Sequence, residues 1–154
     1  MGNSPSNKYI NFEDMQSAIN NKEYIIINTL PEAQQTCLIV GTLNMNNEVE
    51  ILNTHLKADK SIRIIVYGAN SSDPSANKKY EQLLSLGFSN VFIYNGGLFE
   101  WLLLQDIYGK DQFKTTRQER DILKYKGQFR LQSEYKGASA PLRTLEYSSI
   151  KPNK

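Results

Sequence analysis

Between Ile62 and Leu86 the chain reads as a buried strand, a short polar loop and a helix, and this unit constrains what the rest can be. Ile64, Ile65, Val66 and Tyr67 are apolar on consecutive positions, the pattern of a strand covered on both faces in a parallel sheet. Asp73 reads as an N-cap with Pro74 at the first helical position, where a missing N–H costs nothing. Such a layout usually presents a reactive group at a helix N-terminus. Here the loop Gly68, Ala69, Asn70, Ser71, Ser72, Asp73 contains none, and Gly68 follows the strand where a nucleophile would be placed.

Flanking segments supply the partners this unit needs. Asn11 is expected to cap a first helix through Phe12, Met15 and Ile19, followed by a central strand over Tyr24 to Asn28. Asn47 is expected to cap a helix with Val49, Leu52 and Leu56 on one face. Gly87 turns the chain into a second buried strand ending at Tyr94, and Asn95-Gly96-Gly97 breaks into an apolar helix from Leu98 to Gln105, which needs a sheet to lie on. Alternating strands and helices predict an α/β fold, a central parallel sheet with helices on both faces.

Bulk properties agree with one cytosolic-type domain. The chain has 154 residues, the size of a single domain with a core of its own. Its one cysteine excludes an internal disulfide framework. No apolar run approaches the roughly 20 residues of a membrane-spanning helix, and Met1 to Lys8 lacks both a hydrophobic signal core and an arginine-rich transit pattern.

The order of these signals resembles the rhodanese-like domain. Its most specific element, G-F-x-N-V-x-x-x-x-G-G-x-x-x-W, is met by Gly87, Phe88, Asn90, Val91, Gly96, Gly97 and Trp101. Upstream, Ile25 to Leu30 sits where that family has a strand ending in D-x-R. Leu38 to Asn44 is similar to its H-I-P-G-A-I-N segment, with Ile39, Gly41 and Asn44 kept. The resemblance spans roughly residues 8 to 109.

In that family a cysteine directly after the central strand carries a persulfide or attacks phosphate, while loop amides and an arginine near the loop's end hold the anion. The resemblance puts Gly68 at the cysteine position, Asp73 at the closing position, and Asn28 and Leu30 in place of the D-x-R pair. A hydrogen cannot attack anything, and an Asp N-cap fills the helix-terminal amides with its own carboxylate and repels an incoming anion. Because the chemistry needs an activated thiolate, the three departures together imply a pseudoenzyme with no cofactor.

Charge divides the chain where the resemblance stops. Residues 1–109 hold 7 Lys or Arg against 11 Asp or Glu, net −4, whereas residues 110–154 hold 11 against 5, net +6. The expected organisation is therefore an N-terminal arm (1–8), a rhodanese-like domain (9–109) and a basic C-terminal extension (110–154). Thr116-Arg117-Gln118-Glu119 reads as a capping box opening a short helix over about 117–126. Beyond it, aromatic and basic residues alternate without a period. The extension either wraps back over the acidic domain, lies on a partner, or is disordered. Read as a docking arm, it offers Lys124, Tyr125, Phe129, Arg130, Tyr135, Lys136, Arg143 and Tyr147 to a protein with an acidic surface. No recognition helix or RNA-binding signature is present, so nucleic acid is not expected.

Met1-Gly2-Asn3-Ser4-Pro5-Ser6 matches the pattern for myristoylation of Gly2, which alone gives only marginal membrane contact. Cys37 precedes an apolar strand and reads as a small buried hydrophobe more than as a thiolate. His55 has no second ligand at metal spacing, so no metal site is expected. Trp101 reads as the anchor of the last helix; Tyr67 fits either the core or the border of the loop. The function expected is a catalytically inactive protein-binding or scaffold component of a larger assembly. The location is cytoplasmic, membrane-associated, or within a structure such as a cilium or virion. The alternatives are a residual sulfurtransferase working through Cys37, a phosphatase-like relative, or a small-ligand binder at the loop 68–73.

Overall fold

The computed structural model describes residues 8–131. Four parallel strands, β1 (Tyr9–Ile10), β2 (Tyr24–Asn28), β3 (Arg63–Tyr67) and β4 (Asn90–Tyr94), form one sheet in the order β1-β4-β3-β2. Their connections carry helices α1 (Phe12–Ile19), α2 (Glu48–Ala58) and α3 (Ser75–Leu86), and α4 (Gly97–Tyr108) follows the last strand.

Because side chains alternate along a strand, β3 feeds two separate cores. Ile64 and Val66 pack with Leu52 of α2 and with Ala76 and Leu83 of α3. Ile65 and Tyr67 pack on the other face with Met15 of α1 and with Leu98, Trp101 and Leu102 of α4. Helices thus cover both faces, as the run of apolar residues in β3 requires.

Two helix starts illustrate the local chemistry. Asn11 caps α1 as expected, its side chain accepting from the Asp14 amide at 3.0 Å while Asp14 returns a bond to the Asn11 amide at 3.1 Å. The expected Asn47 cap is not made. A 3₁₀ turn over Met45–Asn47 runs into α2, and the side chain that satisfies its start is Asn44, accepting from the Asn46 amide at 2.8 Å. Val49 is 71% exposed, so the apolar face of α2 begins at Leu52.

The expected boundary at Gly109 does not separate residues 110–131, the described part of the extension, from the core. Phe113 and Tyr125 are buried on the α1/α4 face, and the Phe113 ring stacks edge-on against Trp101 with centroids 5.1 Å apart. Thr115 pairs antiparallel with Ile39, and the Thr116 amide donates to the Leu38 carbonyl at 2.8 Å. Residues 110–131 therefore form a strap across this face.

This pairing also removes the expected helix over 117–126. The Thr116 hydroxyl accepts from the Leu38 amide at 3.0 Å and donates to the Thr36 carbonyl, so it cannot cap. Only a 3₁₀ turn, Ile122–Tyr125, forms. Glu119 instead bonds the Asp121 amide and the Lys124 ammonium.

Candidate functional site

The carboxyl ends of parallel strands are where open α/β sheets place ligands, and the loop Gly68 to Asp73 occupies that position beside the start of α4. Gly97 lets the two meet. Its φ is +70°, and a Cβ there would stand 2.7 Å from the Gly68 carbonyl oxygen and 2.8 Å from the Asn70 nitrogen. The first amides of α4 grip the loop: Leu98 donates to Gly68 at 3.0 Å and Phe99 to Ala69 at 2.8 Å. Helix-end donors that would otherwise need water or a ligand are satisfied by the loop's own carbonyls.

Asp73 turns into the loop. One carboxylate oxygen accepts from the Ala69 amide at 3.0 Å and the other from the Ser75 amide at 2.9 Å. Burial pushes its carboxyl up, but the bonds from Ala69 and Ser75 outweigh this and hold it below the usual carboxylate range. The expected cap is displaced by one residue: the helix opens at Ser75 with Pro74 at the cap position, and Asp73 instead closes an Asx-type turn onto the Ser75 amide. A Cβ built on Gly68 would lie 2.7 Å from the Asp73 carboxylate and 3.0 Å from the Thr29 hydroxyl. Thr29 and Ser75 share a hydrogen bond of 2.7 Å. Neither was among the expected site residues; Ser75, two positions after an aspartate, carried a legible turn signal.

Asn28 and Leu30 are both buried. The Asn28 amide forms a two-way pair with Gln35, donating at 3.0 Å and accepting at 2.8 Å, and also accepts from the Leu30 amide at 2.9 Å. Gln35 had no sequence signal, because its role exists only through the fold. Tyr67 belongs to the core. Its hydroxyl accepts from the Ile39 amide at 3.1 Å and bonds Thr42 at 2.8 Å, and burial pushes the phenol far above its ordinary range. Trp101 is fully buried and donates to the Lys114 carbonyl at 3.1 Å, an anchor for the strap as well as for α4.

Cys37 is 3% exposed, and its Sγ donates to the Arg117 carbonyl at 3.2 Å. Burial, the largest influence, pushes the thiol up, so it rests protonated beneath the strap. His55 is half-buried on α2. Among the described residues no group of three His, Cys, Asp or Glu is arranged to hold a metal, and no helix is long and apolar enough to cross a membrane.

The expected partner-facing residues do not form one set. Tyr125 is 1% exposed, its carbonyl accepts from the Asn70 side chain at 2.8 Å, and it is therefore a core residue that cannot meet a partner. Lys124 pairs with Glu119 at 2.8 Å, whereas Phe129 is 54% exposed and Arg130 also lies on the surface. Gly2, Tyr135, Lys136, Arg143 and Tyr147 lie outside the described residues.

A sequence model described as "Rhodanese-like domain" matches residues 11–104. No curated protein matches the chain. Among solved structures, the BH2092 protein from Bacillus halodurans is similar at 21% identity with a TM-score of 0.53, covering 68% of this chain and 76% of that one. A full-length protein from Lactobacillus plantarum is similar at 19% identity with a TM-score of 0.52, covering 65% and 85%. The Alr3790 protein from Anabaena sp. is 23% identical, with a TM-score of 0.49 and coverage of 65% and 88%.

Proposed function

The chain belongs to the rhodanese-like domain family, and we propose that it is a member without sulfurtransferase chemistry, serving as a protein-binding module. One observation carries this reading. The space where a side chain at position 68 would begin is held by the Asp73 carboxylate, 2.7 Å from the Cβ that Gly68 lacks. A family nucleophile would need that space, free loop amides for its anion, and a thiolate. At this loop the Ala69 and Ser75 amides are bonded to a negative charge belonging to the chain itself.

A residual activity through Cys37 has little support, since a protonated, buried thiol bonded to a carbonyl is a poor nucleophile. The binding role draws support from charge. The strap carries a surplus of Lys and Arg over Asp and Glu, opposite in sign to residues 1–109. An exposed cationic surface steers acidic partners and speeds their encounter.

Restoring the missing parts tests the reading. Gly68→Cys alone is expected to transfer almost no sulfur from thiosulfate to cyanide, because its thiolate would face Asp73. Adding Asp73→Arg, which replaces repulsion with an anion-binding charge, is expected to raise the rate at least tenfold over the single variant. Equal rates in the two variants would remove the electrostatic part of the argument.

A further inference from the structure

The strap is more basic than its attachment requires. Its hold on the domain comes from neutral groups: the buried Phe113 and Tyr125 rings, the pairing of Thr115 and Thr116 with Ile39 and Leu38, and bonds to backbone carbonyls. Two of those carbonyls are clamped twice. That of Lys114 accepts from the Trp101 indole at 3.1 Å and the Val40 amide at 3.1 Å, and that of Arg117 from Cys37 at 3.2 Å and the Thr115 hydroxyl at 2.8 Å. The backbone at both cations is thus fixed while their side chains stay on the surface.

Lys110, Lys114 and Arg117 line one cleft beside the end of α4, and Lys110 and Arg120 line the adjoining one; Gln105 and Gln118 are common to both. None of these four cations makes an ion pair among the described residues. The acidic groups there are Asp106, Asp111 and Glu119, and Glu119 is already engaged by Lys124 at 2.8 Å. Four uncompensated cations therefore face two free carboxylates on a surface whose backbone is already ordered, so a ligand of opposite charge need not immobilise the chain to bind.

We propose that the paired cleft between the end of α4 and the strap, bordered by Lys110, Lys114, Arg117 and Arg120, is the docking site for an acidic, carboxylate-rich segment of a partner protein. The proposal rests on the binding-module reading and gives it a location. That location differs from the one expected from sequence, where the aromatic and basic residues from Lys124 onward formed the docking arm.

The test uses the full chain and a fluorescein-labelled oligoglutamate peptide, followed by anisotropy. Binding is expected at about 50 mM salt and should weaken steeply by about 300 mM, since the Debye length shrinks below the separation of surface charges. Lys114→Glu/Arg117→Glu is expected to weaken binding at least tenfold. The control Lys22→Glu/Lys57→Glu, which changes net charge equally on other surfaces, should change it less than twofold. Unaltered thermal unfolding of each variant checks the fold. Equal losses in the two double variants, or no binding at low salt, would overturn the proposal. So would capture by phosphatidylserine vesicles with no affinity for the peptide. Sulfur-transfer assays on the same preparation separate the two readings: absent peptide binding with no turnover removes only the docking site, whereas turnover removes the reading beneath it.

Discussion

The loop Gly68 to Asp73 and the strap from Lys110 to Leu131 touch through Asn70 and Tyr125, yet they are held by opposite means. In the loop a charge turns inward: the Asp73 carboxylate is bonded by the amides of Ala69 and Ser75. In the strap the neutral groups turn inward, Phe113 and Tyr125 into the core, and the cations stay outside. Local charge alone therefore does not mark a binding surface: the proposed loss of chemistry rests on a charge satisfied by the chain's own donors, and the proposed docking site on charges left unsatisfied over an ordered backbone.

The comparison breaks most visibly if the strap proves dispensable. Stopping the chain at Gly109 removes Phe113 and Tyr125 together, and losing one buried aromatic side chain typically costs about 3–5 kcal/mol. Domains of this size are stable by only about 5–15 kcal/mol, so the shortened chain is expected to lose cooperative thermal unfolding. A sharp transition near that of the full chain would make the strap peripheral, and the charge argument built on its rigid backbone would fall with it.

A smaller effect sharpens the loop side. Gly97→Ala combines a left-handed φ with a Cβ too close to the Gly68 carbonyl and the Asn70 amide, and is expected to destabilise by about 2–4 kcal/mol in denaturant unfolding. At Gly109 φ is also positive, but nothing lies within 4 Å, so Gly109→Ala should lose only the backbone part, about 1–2 kcal/mol. Equal costs at the two positions would mean that the contact between loop and α4 is looser than its geometry indicates.

The smallest effect concerns pH. Because Asp73 has a depressed folded pKa, the unfolded chain takes up its proton first as pH falls below about 4. Its contribution is therefore full above that range and is lost as pH falls through the folded value. Asp73→Asn should lose less stability than the natural chain between about pH 5 and pH 3, by a modest margin because the site is partly solvated. Parallel acid profiles would show that the carboxylate is not held by the loop amides.

Three strands of the sheet, the helices and the loop were legible in the sequence because their signals are local: the unbroken run from Ile64 to Tyr67, the Asn11 cap and the glycines at 87 and 97. The two-residue β1 carried no such signal. The apolar strand expected after Cys37 is reduced to isolated bridges at Ile39 and Thr42, because that segment is bonded to the strap and to β2 at single positions only. The inward turn of Asp73 was legible for the same reason, since an Asx-type bond reaches only two residues ahead. The strap was legible only as one of three alternatives, an extension wrapping back over the domain, and its local structure was not legible at all. Thr116 to Glu119 spells a capping box, but Thr116 is taken by Leu38, 78 residues away along the chain. Tyr125 and Phe129 look alike in sequence, and only the fold decides that one is buried and the other exposed. Val49 and Leu52 share a helical face by spacing, but the sheet covers only the second.

The rate of thiosulfate-to-cyanide sulfur transfer by the purified full chain, measured beside Cys37→Ser, decides whether the chain lacks the family's sulfur chemistry, as proposed. The expected result is no turnover above buffer for either protein. Turnover in the natural chain would contradict the account; its loss in Cys37→Ser would assign the activity to that thiol, and its persistence would mean that the active site lies elsewhere than at Gly68.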